Sequence, residues 1–186
     1  RAATYIGKSD FAEARRNWQR VRELLPGVEG EPAAAPLGAT ACRALLALSI
    51  RFPLGQEEAR QIFEDGRRWA EASGEPDRVA LLHQALAVAQ GNHLRLDSAL
   101  EHAEAFANTI RSAADPELRA MALWPSLVPL RLLGRFSEHR SCAEALAEQT
   151  REHPEWGIEL WVSTHVGALW ELGLGDVSAE QWELHR

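Results

Sequence analysis

The residues that could do chemistry here are few, and their spacing decides how far each can be taken. His139 and Cys142 stand three apart, which on a helix places both on one face, the arrangement of a two-ligand half of a metal site. A complete site needs a matching pair elsewhere, and the chain offers none; the expected role of His139 is a histidine packed between helices, with no metal and no cofactor. Glu101, His102 and Glu104 read as the solvated face of a helix rather than as an acid–base dyad. No GxxxxGK[ST] run is present to cradle phosphates, and no HExxH to hold zinc. No Gly-x-Ser-x-Gly elbow presents a nucleophile. Gly173-Leu174-Gly175 marks a helix end, because glycine accepts the left-handed C-cap. The expectation is a protein that is not an enzyme.

The elements that position these residues are set by a repeat. Phe11, Ala14, Trp18, Val21 and Leu25 lie at offsets 0, 3, 7, 10 and 14, one face of an α-helix. The same offsets give Leu96, Ala99, Ala103, Phe106 and Ile110, then Phe136, His139, Ala143, Leu146 and Thr150. A weaker copy runs Gln56, Ala59, Phe63, Gly66 and Ala70, and another begins at Val177. The starts are separated by 45, 40, 40 and 41 residues, the spacing of a helical-hairpin repeat. In phase with it, Pro76, Pro116 and Pro154 each precede an acid (Asp77, Glu117, Glu155) and an apolar run. Proline suits a first helical turn, and the acid suits the positive end of the helix dipole.

Each unit is therefore a first helix opened by Pro-acid, a turn, and a second helix carrying the five-point face. First helices are expected at 36–52, 76–91, 116–133 and 154–173, and second helices at 10–25, 55–73, 96–113, 135–152 and 177–186, with residues 1–6 as the tail of a preceding one. The expected fold is all-α: one domain over 1–186, a right-handed α-solenoid of antiparallel hairpins with about four repeats and truncated ends. Pro125 and Pro129 fall inside the third first helix, where each removes an N–H donor, and predict a bend there without loss of register.

The stretches EEARQIFEDGRRWAEASGEP, GEPDRVALLHQALAVAQGN and ADPELRAMALWPSLVPLRLLGRFSEHRSCAEALAE resemble the tetratricopeptide-like helical regions of large bacterial signalling proteins. The period is closer to the longer hairpin repeats of maltose-regulon-type activators. In such chains the repeats follow an ATP-binding module, with a nucleotide-cyclase or DNA-binding helix-turn-helix domain elsewhere. The resemblance implies a scaffolding or protein-interaction module of a bacterial signalling or transcription regulator. The alternative it implies is an effector sensor that binds a small molecule in the concave groove and regulates an attached ATPase.

Composition bounds the partners. With 27 acidic and 20 basic side chains the net charge is −7, which argues against gripping nucleic acid. No apolar run reaches the roughly 18 residues of a membrane span, and no signal-peptide pattern opens the chain. The segment reads as part of a larger cytoplasmic protein, its two cysteines reduced and its exposed ends inviting a homodimer. Seven tryptophans are unusual; Trp18, Trp69 and Trp182 fall on second helices and are expected in the packing between hairpins. Equivalent first-helix positions give a row of Ala44, Gln84, Trp124 and His165, flanked by Arg43, His83, Leu123 and Thr164. This row suits a partner or ligand groove, or equally a mildly polar surface. Gln84, Trp124, His165, His83 and Thr164 are the candidate interaction residues.

Overall fold

The computed structural model describes residues 10–28, 30–111, 118–119 and 121–152, with side chains to 146. The described part is helical without a strand: α1 (Phe11–Leu24), α2 (Ala34–Leu48), α3 (Gln56–Ser73), α4 (Pro76–Asn92), α5 (Leu96–Ile110), α6 (Leu127–Leu132) and α7 (Phe136–Glu152), with 3-10 turns at Leu25–Gly27 and Met121–Ser126. The expected helices at 1–6, 154–173 and 177–186 lie outside the described residues.

Local chemistry sets the ends. Asp10 caps α1, its carboxylate accepting from the Glu13 N–H at 3.1 Å. Pro76 opens α4 and Asp77 sits in its first turn. Gly74 closes α3 in the left-handed conformation at φ 71°. Helix α2 stops at Leu48, short of the expected 52. Pro53 disfavours helical geometry at Phe52, and the Ser49 hydroxyl donates to the Leu46 carbonyl at 2.6 Å, closing the last turn early.

The five-point face is the buried face. Ala14, Ala99, Ala103, Phe106 and Ile110 are fully buried, and Ala59, Phe63, Ala70, Ala143 and Leu146 nearly so. Its first position is different: Phe136 is 48% exposed, and Phe11 lies under the Arg51 guanidinium at 4.7 Å in a cation–π contact. Helix α2 packs on α3 and α4, α4 on α5, and α5 on the Met121–Ser126 turn and α6, which in turn meet α7. Two crossings are closed by glycine. A Cβ on Gly38 would lie 2.4 Å from the Trp69 ring, and one on Gly66 would lie 2.7 Å from the Cys42 Cβ and 2.8 Å from a Leu82 methyl. The core follows as three clusters along the chain: Cys42, Leu46, Phe63 and Leu82 with their neighbours, then Ala80, Phe106, Ile110 and Leu118, then Leu127, Ala143 and Leu146.

Two turns forty residues apart are built alike. At the end of α4, Arg95 N–H donates to the Gln90 carbonyl at 2.9 Å and Leu94 N–H to Gly91 at 3.2 Å. At the end of α6, Arg135 N–H donates to Leu130 at 2.9 Å and Gly134 N–H to Arg131 at 3.0 Å. Both are Schellman closures, which require a left-handed residue; Leu94 takes φ 59° where its counterpart Gly134 takes φ 73°. Between them, Pro125 and Pro129 do more than bend a helix. Met121–Ser126 tightens to 3-10 geometry before α6 resumes as α-helix, because the missing donors remove i→i−4 bonds to Met121 and Pro125.

Candidate functional site

Two histidines meet where α3, α4 and α5 pack together. His83 on α4 and His102 on α5 approach through their Nδ1 atoms at 2.9 Å. One of those nitrogens must carry the proton and the other accept it, so the two rings cannot both be charged while this bond is formed. Phe63 of α3 forms the third side, its ring centroid 4.9 Å from His83 and 5.1 Å from His102. Burial first, then the neighbouring imidazole and Arg67, push His83 down to about 4, with Glu64 opposing. Burial lowers His102 as well. His102 is therefore not on a solvated helix face with Glu101 and Glu104. Those two carboxylates are exposed while His102 is half-buried against α4. The nineteen-residue separation of the two histidines carries no periodic signal, so only the α4–α5 turn could reveal the pairing.

The candidate row is distributed over different surroundings. Gln84, 9% exposed, is enclosed because α4 is packed by α2, α3 and α5. Trp124 is half-buried against the Leu127–Ala143–Leu146 cluster. His83 faces His102. His165 and Thr164 lie outside the described residues. His139 is 1% exposed, in the slot that Ala59 and Ala99 fill in other units, and its imidazole pKa is lowered by burial and by Arg131. Among the described residues no group of three His, Cys, Asp or Glu side chains gathers as a metal site would require. Cys42 and Cys142 are free thiols, and burial pushes Cys42 up to about 12, which leaves it an unreactive core thiol.

A cavity of about 730 Å³ opens between α1 and α3, lined by Gln19, Arg22, Asp65, Arg68 and Trp69 among others. Arg22, Asp65 and Arg68 of this lining are engaged with one another. Asp65 accepts from Arg22 at 3.1 Å and from Gln61 at 2.9 Å, and Arg68 completes the set. Burial raises the Asp65 carboxyl, and these three donors more than reverse it, so its pKa falls below the ordinary value. No spacing along the chain points to this network, which joins residues 43 apart on two second helices.

No described helix is long and apolar enough to cross a membrane. Among the described residues the fold is all-helical, the helices packed against one another. No family model, no curated protein and no solved structure matches the chain.

Proposed function

We propose that this chain is a non-catalytic interaction and scaffolding module: an α-solenoid of helical hairpins in a cytoplasmic bacterial signalling or transcription regulator. Its first helices would meet another protein or a neighbouring domain. The observation that carries the reading is the repeated turn. The same pair of hydrogen bonds closes α4 and α6 forty residues apart, in step with a repeated helix face whose second position is buried in every described copy. Units stacked this way bury one neighbour against the next and leave an extended outer surface, whose use is recognition.

Photo-crosslinking in the native host tests it. A photoreactive residue at Leu37 or Ala47, both exposed on α2, is expected to give a discrete protein adduct. The same group at Glu58 on α3 or Glu101 on α5 serves as control. Equal yields from all four positions, or no adduct from α2, would overturn the reading.

The α1–α3 cavity favours a second reading, an effector sensor, because its volume falls in the range of small-molecule sites. A thermal-shift screen separates the two. A ligand at 100 times its Kd adds about 2.7 kcal/mol of apparent stability, and Trp69→Ala would abolish that shift.

A further inference from the structure

The seam between α2 and α4 holds two guanidinium groups over one small hollow. Its volume is about 60 Å³ and its lining is Ala39, Thr40, Arg43, Arg78 and Leu81, with no acid. Arg78 is fixed in place. Its Nη1 donates to the Pro36 carbonyl at 3.3 Å and to the Thr40 hydroxyl at 3.2 Å, and its Nε meets Glu75 at 3.0 Å. The Thr40 hydroxyl in turn donates to Pro36 at 2.8 Å, so the anchor is itself held. Only Nη1 donates hydrogen bonds; Nε is buried without a hydrogen-bond partner although it lies within ion-pair reach of Glu75, and Nη2 makes no hydrogen bond among the described residues. Arg43 is exposed on α2 and differs from most arginines of α1 and α3. Arg16, Arg20, Arg22, Arg60, Arg67 and Arg68 are each paired with a carboxylate, whereas Arg43 forms no such pair among the described residues. Helix α2 contains no acidic residue at all, and α4 only Asp77.

We infer that this hollow is a carboxylate site, and that it receives an aspartate or glutamate from an acidic segment of a partner protein. The inference rests on the interaction-module reading and names the chemistry of its partner. Guanidinium forks accept a carboxylate through paired, charge-assisted hydrogen bonds. A partner carboxylate would also relieve a local cost: partial desolvation and then the neighbouring Arg78 charge lower the Arg43 pKa, and Arg43, unlike Arg78 with Glu75, has no carboxylate beside it among the described residues. A peptide is favoured over a nucleic acid because the hollow admits one small anionic group and the chain as a whole, at −7, repels a polyanionic backbone. Ala39 and Leu81 in the lining supply apolar contacts beside the charge.

The test is fluorescence anisotropy of a labelled oligoglutamate peptide titrated with the chain, with oligoglutamine as the uncharged control. Oligoglutamate is expected to bind and to weaken as salt rises. Arg43→Gln is expected to weaken it about tenfold or more, while Arg60→Gln, whose partner is Glu57 on α3, leaves it unchanged. An unchanged circular-dichroism spectrum of Arg43→Gln shows that the fold is kept. No binding of oligoglutamate, equal binding of oligoglutamine, or full affinity in Arg43→Gln would each overturn the inference. Competition by acetate or inorganic phosphate at the peptide's own concentration would overturn the peptide assignment in favour of a free anion. If crosslinking from Leu37 or Ala47 succeeds while these arms fail, the interaction module stands and only its preference for acidic partners falls.

Discussion

Leu94 is a non-glycine residue at φ 59°, and it is 71% exposed, so its side chain contributes little packing that could compensate. A left-handed L-residue costs about 1–2 kcal/mol. Replacing it with glycine removes that cost but returns about 0.5–1 kcal/mol of chain entropy to the unfolded state. Leu94→Gly is therefore expected to stabilise the chain by about 0.5–1 kcal/mol. For a chain of this size that corresponds to a rise of roughly 1–4 °C in Tm. The counterpart forty residues on supplies the reciprocal experiment. A Cβ at Gly134 would meet nothing within 4 Å, so Gly134→Leu is a pure backbone penalty and should destabilise by a similar amount. The double exchange Leu94→Gly with Gly134→Leu should return close to the starting stability, because the two turns share no partners. Urea unfolding with a common slope reads all three, and circular-dichroism melts check the order. A destabilised Leu94→Gly would refute the reasoning, since it would mean that the two turns are not equivalent closures of one repeat.

The histidine pair predicts an acid sensitivity. His83 lies at about 4 in the folded chain against an ordinary 6.5, so as pH falls from 6.5 towards 4 the unfolded chain binds a proton that the folded chain refuses. Stability is lost across that window, by about 3 kcal/mol for a shift of this size, and denaturation midpoints at pH 7 and pH 4.5 should show it. His83→Gln should flatten that slope relative to the parent chain; an unchanged slope assigns the effect to His102 or His139, whose pKa values are lowered in the same direction. Gly66→Ala should destabilise by about 1–2 kcal/mol, overpacking against Cys42 and Leu82 outweighing the better helix propensity of alanine; urea midpoints at or above those of the parent chain would contradict the close crossing. Asp65→Asn should cost about 1–2 kcal/mol, because Arg22 and Arg68 lose their charged partner beside a carboxylate only 15% exposed. The loss should appear in hydrogen exchange as faster opening of α1 than of α5, and uniform change across both helices would argue against a local tie.

The periodic part of the fold was legible because helix periodicity is local. Residues three and four apart share a face whatever surrounds them, so the five-point pattern located α1, α3, α5 and α7 and identified most of their buried residues. Pro76 with Asp77 marked the start of α4 for an equally local reason. The pattern failed where a residue's surroundings depend on other helices. Phe136 occupies the first point of the face and is nearly half exposed, although its spacing is that of the buried positions. Gln84 looked like a surface residue, yet α4 is enclosed on several sides by α2, α3 and α5.

The proline-bearing stretch shows the same division. Pro125 and Pro129 dictated the loss of two backbone donors from the sequence alone; whether the chain bends, breaks or tightens to 3-10 depends on what α5 and α7 hold in place on either side. Leu94 is the converse case. Nothing in its side chain asks for φ 59°, but α4 and α5 must reverse direction in the few residues that Gly134 spans more easily in the next unit. Spacing along the chain was enough to place most of the described helices and their inward faces, both consequences of neighbouring side chains. That His83 meets His102, that Arg22 ties α1 to Asp65, and that Arg43 and Arg78 face one hollow follow from the packing of whole helices. Each of those depends on how two helices cross, and crossing is fixed by side-chain volumes such as Gly38 beneath Trp69, which no spacing along a single helix encodes.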